Sequence, residues 1–216
     1  MKTICIIAGG GKMILRYYLR GNLLKLLTAD KDVRVVLLVP EKEKDAYRKE
    51  FSAKNVEVVG LPQITLSWWY QLLISFSRAA FHPKLNRVLH WVVEHDQLHT
   101  KLYKVLIKRL IAYTFGAIPV ISHPLQGWVR FMILRIPAPG FLEQFFDRYK
   151  PDAVFATSII QKTSFDLPII CEAKRRGIKT AATTRGWDAF SYLGFLLVHP
   201  DHLIVQSAYV KEMAVK

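Results

Sequence analysis

Lys150-Pro151-Asp152-Ala153-Val154-Phe155-Ala156 is an apolar run opened by a Pro-Asp pair, and it begins the stretch that decides the fold. The pattern predicts a strand over Asp152–Ala156 and a helix over about Ser164–Arg176, stopped by Gly177. Strands follow over Ile178–Thr183 and Asp201–Gln206, the latter opened by a second pair, His199-Pro200-Asp201. Short apolar strands alternating with helices indicate a parallel sheet covered on both faces. Ligands of such sheets bind beyond the carboxyl ends of the strands. One of those ends carries Thr183-Thr184-Arg185-Gly186-Trp187-Asp188, followed by Ser191 and Tyr192. That loop concentrates polar and aromatic chemistry and is the first candidate site.

The amino-terminal part has the same rhythm. A strand over Thr3–Ala8 ends in Gly9-Gly10-Gly11-Lys12, a helix runs from about Met13 to Leu27, and a strand spans Val33–Val39. A charged helix over Glu41–Ala53 and a strand over Val56–Val59 complete the half. The glycine turn fails two templates. A dinucleotide fingerprint needs glycine where Ile14 stands, and a P-loop needs glycine and Ser or Thr where Ile6 and Met13 stand. What remains is a turn before a helix, where backbone N–H groups suit an anion or a hydroxyl and glycine permits close approach. Gly9, Gly10 and Gly11 are therefore candidate binding residues, and Lys12 a candidate for a phosphate. The plainer reading is a tight strand-to-helix connection.

Residues 61–148 interrupt this rhythm with a helical, basic insert. Leu66–Phe76 is apolar and aromatic, Leu85–Leu110 is a long helical stretch, and Gly127–Ile136 is apolar and cationic. Phe141–Tyr149 restarts as a short helix. Basic faces interleaved with Trp, Phe and Leu suit an anionic membrane surface. Packing of the apolar residues on the sheet, with solvated lysines, is the alternative. No apolar run reaches the length needed to cross a bilayer. The run Leu110–Ile121 is broken by Gly116 and Pro119.

The chain has 216 residues, 51% of them hydrophobic, so an α/β domain with a real core is expected and a disordered chain is not. A formal net charge of +14 points to a negatively charged partner: phosphate, anionic lipid or nucleic acid. Nucleic acid is the least favoured, because no RNA-binding strand signature or zinc-finger spacing accompanies the charge. Cys5 and Cys171 lie inside predicted elements without metal or redox spacing, which predicts buried reduced thiols. His95 and His99 are one turn apart, but His90 falls roughly 140° away around a helix, so no three-ligand metal site is expected. No Gly-x-Ser-x-Gly nucleophile motif is present. Met1-Lys2-Thr3 leads directly into a strand, which predicts a cytoplasmic protein, peripheral at the inner face of the membrane if the insert docks there.

The carboxyl-terminal motifs resemble a known family. Lys150-Pro-Asp-Ala-Val-Phe, Arg176-Gly-Ile-Lys, Arg185-Gly-Trp-Asp-Ala-Phe-Ser-Tyr-Leu-Gly194, Pro200-Asp-His-Leu-Ile-Val and Lys211-Glu-Met-Ala214 are similar to the acceptor half of GT-B glycosyltransferases. The likeness is greatest to a bacterial group whose first domain ends in a Trp-Asp-Asn loop followed by a Pro-Asp strand. It covers the two α/β ends, about half the chain. Ala189 stands in place of the asparagine, Tyr192-Leu193 in place of a Ser-Lys pair, and Gly9–Gly11 where some members carry a histidine base.

The resemblance implies an α/β chain, a Rossmann-like doubly wound parallel sheet of about six strands with the helical insert, forming one amino-terminal domain over 1–216. It implies a sugar transferred from a nucleotide sugar to a glycan or lipid-linked acceptor, in surface polysaccharide or glycolipid synthesis. No cofactor and no metal are implied. The nucleotide sugar would be held by a second domain outside this chain, so the chain alone would not turn over. Asp188 is the implied catalytic residue. Gly9, Gly10, Gly11, Lys12, Arg185, Trp187 and Ser191 are the implied binding residues. Local roles compete: a turn cap for Asp188, a surface ion pair for Arg185 and a core position for Trp187. A non-enzymatic membrane-surface or scaffold subunit and a nucleotide-sugar epimerase of the same architecture are the rival readings.

Overall fold

A computed structural model describes residues 1–8, 18–80, 110, 119–159, 166–184 and 196–215. Its strands are β1 (Lys2–Ile7), β2 (Val33–Pro40), β3 (Val56–Leu61), β4 (Ala153–Ala156), β5 (Lys179–Thr183) and β6 (His202–Ile204). Its helices are α1 (Asn22–Ala29), α2 (Lys44–Phe51), α3 (Trp68–Ala80), α4 (Pro119–Arg135), α5 (Gly140–Tyr149), α6 (Asp166–Arg175) and α7 (Ala208–Val215). The strands form one sheet in the order β3-β2-β1-β4-β5-β6, and every neighbouring pair is parallel. This is an α/β, Rossmann-like doubly wound fold. Its direction of winding reverses between β1 and β4, which is where such sheets open a crevice for ligands.

Alternation along the strands feeds two cores. Cys5, Ile7, Val36, Leu38, Val154 and Ala156 face one side, where they pack with side chains of α4, α5 and α6 such as Ile133, Phe146 and Ile170. Ile6, Ala8, Val35, Leu37 and Val39 face the other, against Leu24 of α1 and Tyr47 and Phe51 of α2. Cys5 to Ala8 and Val35 to Val39 have no solvent exposure. Both faces of the central strands are therefore covered, and the unbroken apolar runs in the sequence follow from that. Both cysteines are buried free thiols. Burial pushes the Cys171 thiol up to about 11, and Tyr70 Oη lies 3.2 Å from its Sγ.

The stretch read as an insert has a place in the topology. Residues 62–152 carry the chain from edge strand β3 across β2 and β1 to β4, and α4 and α5 lie on the sheet along the way. Two boundaries differ from the sequence reading. Gly127 does not begin a segment: α4 runs from Pro119 through Pro124 and Gly127 to Arg135. A proline in the first turn lacks only an N–H that would be unbonded there. The helix expected over 13–27 is described from Asn22, after a break at Gly21, whose extended backbone (ψ −167°) cannot continue a helix. Most of Leu85–Leu110 lies outside the described residues, as do His90, His95 and His99.

Candidate functional site

The carboxyl ends of β1, β4 and β5 meet at the winding reversal. β1 ends at Ile7, and Ala8 donates its N–H to Leu38 O at 2.8 Å, holding the chain against β2 as it leaves the sheet. β4 runs out into Thr157-Ser158-Ile159, and all three residues are buried. Thr157 donates its hydroxyl to Ile7 O at 2.7 Å, closing the seam between β1 and β4. Ile159 donates its N–H to Thr183 O at 3.2 Å, drawing the chain across β5.

Ser158 sits between these two ties. Its N–H is bonded at 2.9 Å to Oδ2 of Asp166, the first residue of α6. Its own hydroxyl is buried and has no hydrogen-bond partner among the described residues. Asp166 is 4% exposed. Burial raises its pKa from 3.8 to about 7, opposed by the Ser158 N–H, so this carboxyl changes charge near neutral pH.

The β5 end adds further hydroxyls. Tyr18 donates its hydroxyl to Thr183 Oγ1 at 3.2 Å. Thr184, fully buried, donates its hydroxyl to Gln206 Oε1 at 3.0 Å and accepts Gln206 Nε2 on its carbonyl at 2.8 Å. One edge of the sheet thus gathers the hydroxyls of Tyr18, Thr157, Ser158, Thr183 and Thr184 and one titratable carboxyl. Tyr18 and Thr183 bond each other, Thr157 bonds the Ile7 carbonyl, and Thr184 bonds Gln206. Ser158 is the exception, a donor without an acceptor among the described residues, and such orphans call for an explanation.

An apolar cavity of about 390 Å³ lies on the face shared with α1, lined by Ile4, Ile6, Phe155, Ala181 and Ile204, with Tyr18 at its border. Tyr18 joins it to the hydroxyl cluster, and its lining among the described residues is otherwise apolar.

The predicted site residues Gly9, Gly10, Gly11, Lys12, Arg185, Trp187, Asp188 and Ser191 lie outside the described residues. The described chain does locate where their segments leave the sheet. Residue 9 follows the β1 end and residue 185 follows Thr184 at the β5 end, on either side of β4. Adjacent strands lie about 4.8 Å apart, so the two exits are roughly 10 Å from each other. Thr157, Ser158 and Asp166 stand at the strand between them, and the sequence reading did not single them out. A signal existed in Thr157-Ser158, a hydroxyl pair directly following an apolar strand. Asp166 had none, because its carboxyl looks like an ordinary first-turn helix acid.

No protein-family model matches this chain, and no curated protein matches it.

Proposed function

We propose that this chain is the acceptor-binding domain of a glycosyltransferase. The enzyme moves a sugar from a nucleotide sugar to a glycan or lipid-linked acceptor, in surface polysaccharide or glycolipid synthesis, and a second domain holds the donor. The observation that carries the reading is the winding reversal between β1 and β4, with hydroxyl-bearing strand ends on both sides of it. The segments bearing Gly9–Lys12 and Arg185–Ser191 start from that edge.

In the proposed reaction an acceptor hydroxyl oxygen attacks the anomeric carbon. The bond from that carbon to the diphosphate oxygen breaks, and the diphosphate leaves with the electron pair. Asp188 takes the acceptor's proton. Gly10 and Gly11 line the floor of the acceptor pocket, where the absence of side chains admits a sugar. Trp187 stacks on a sugar ring, Ser191 bonds a hydroxyl, and Arg185 and Lys12 meet phosphate oxygens. Orientation of the acceptor supplies much of the rate, because positioning converts a bimolecular encounter into a local one.

Saturation-transfer NMR on this chain tests the reading, with a panel of oligosaccharides, nucleotide sugars and NAD. Oligosaccharide signals that weaken in Trp187→Ala support it. Tight binding of NAD or of a nucleotide sugar, with no saccharide bound, would replace it with a nucleotide-binding function.

A further inference from the structure

Helix α4 is apolar on two opposite sides. Val129 and Ile133 have no exposure and point into the protein. At 100° per residue, Val120, Ile121, Pro124, Trp128, Phe131 and Arg135 fall within one arc of roughly 100° on the other side. That arc faces solvent: Val120 is 84% exposed, Phe131 52%, Trp128 49% and Ile121 41%. It extends roughly 22 Å along the helix. An amphipathic surface helix normally keeps one apolar face, turned to the core, and this one has a second, turned to solvent. The packed neighbour α3 adds exposed Trp68, Trp69 and Leu72, with the two indoles stacked at 3.7 Å.

Charge selects the occupant. α3 and α4 contain no acidic residue. From residue 58 to 142 the sequence has nine Lys or Arg and only two of the chain's 17 acids, Glu94 and Asp96. Arg135 ends the apolar arc, with its guanidinium 4.3 Å over the Phe131 ring. An aliphatic stem along an aromatic ring with a cationic head at the end is how arginine sits at a membrane–water boundary. Tryptophan prefers the same depth, its ring in the acyl boundary and its N–H toward water.

We propose that the α4 arc, with the neighbouring α3 indoles, is a docking surface for a lipid bilayer carrying anionic headgroups. The helix lies along the surface, with Trp128 and Phe131 in the acyl boundary and Arg135 over the headgroups. A second copy of the chain suits the face less well, because two chains of net charge +14 repel. A folded protein partner would need a shape-complementary groove, whereas a fluid bilayer adapts to a convex stripe. This surface does not depend on the glycosyl-transfer reading.

Co-sedimentation with vesicles decides it. The chain should pellet with vesicles of equal phosphatidylcholine and phosphatidylglycerol and much less with phosphatidylcholine alone, and added salt should weaken the binding. Trp128→Ser with Phe131→Ser should weaken it roughly tenfold or more. Both side chains are half-exposed, so the thermal melt should be unchanged; if the pair melts early, Phe131→Ser alone serves. Failure of the unaltered chain to bind mixed vesicles would overturn the proposal, as would undiminished binding by the folded variant. Self-association in lipid-free buffer that the same variant abolishes would give the arc to a second copy instead.

Discussion

Asp201 and Thr180 grip each other from both directions. Asp201 Oδ2 accepts the Thr180 N–H at 2.8 Å and the Thr180 hydroxyl at 2.9 Å, while Thr180 Oγ1 accepts the Asp201 N–H at 3.0 Å. Lys174 Nζ completes the site at 2.8 Å from Oδ1. Asp152 does the same work two strand positions away. Its Oδ2 accepts the Thr3 N–H at 2.7 Å and its own N–H is bonded to Thr3 O at 2.8 Å. The two Pro-Asp pairs are thus one device used twice. At the amino edge the carboxylate stands in for the next rung of the ladder and fixes where β4 meets β1 and where β6 meets β5. They belong to the architecture, on the opposite edge from the candidate site.

Asp201→Ala should therefore destabilise the fold without touching ligand binding. Losing the partner of a buried hydroxyl and of a strand-end N–H costs about 1–2 kcal/mol, since the carboxylate is itself partly exposed to water. Lys174 and the Thr180 bonds hold the Asp201 carboxyl well below its usual range. That contribution is fully present above the unfolded pKa of 3.8 and is lost as pH falls below it. Urea titrations at neutral pH and in acid should show the two proteins converging in acid. A constant gap would refute the charged role.

Gly177 closes α6 in the left-handed region, with φ +68°. Its N–H is bonded to Lys174 O at 3.1 Å and the Ile178 N–H to Ala173 O at 2.9 Å, so the turn leads straight into β5. An added Cβ would meet nothing within 4 Å. Gly177→Ala therefore isolates the backbone cost, about 1 kcal/mol, readable as a lower urea midpoint with unchanged slope. A neutral result would mean the turn relaxes to another conformation.

The sheet was legible because its strands are short apolar runs bounded by Gly, Pro and Asp, a pattern that only two-sided burial explains. Gly177 as a helix stop and the Pro-Asp strand openings were readable for the same local reason. The course of residues 62–152 was not, since a crossover is defined by which strands it joins and not by its own composition. The Ser158–Asp166 contact was hidden too: it joins residues whose neighbours in sequence give no sign of meeting. Gly127 read as the start of a segment because glycine commonly interrupts a helix, and its own neighbours do not show that α4 runs through it.

Ser158→Ala separates folding from binding. The Ser158 hydroxyl is buried without a partner among the described residues, and removing such a group relieves a desolvation penalty of about 1 kcal/mol. The expected result is a midpoint equal to or above that of the unaltered chain, with weaker saccharide signals in saturation transfer. A marked loss of stability would show that the hydroxyl has a bonding partner in the folded protein. Unchanged saccharide binding would remove Ser158 from the site.

Asp166→Asn tests the carboxyl at the winding reversal through pH. Burial raises the folded pKa of Asp166 from 3.8 to about 7, so between those values the folded chain holds a proton that the unfolded chain has released. Stability conferred by this group must then fall as pH rises from about 4 to 7 and level off above. The gap corresponds to at most roughly 4 kcal/mol. Asparagine keeps an oxygen to accept the Ser158 N–H and carries no charge, so the variant should lose this slope and gain on the unaltered chain toward pH 7. Subtracting the two urea-midpoint curves between pH 4 and 8 cancels the other titrating groups, which lie on separate parts of the fold. A flat difference curve would mean that water reaches the carboxylate and that it is charged throughout. A difference that rises toward pH 7 would leave Asp166 able to give or take a proton at physiological pH, within one hydrogen bond of Ser158.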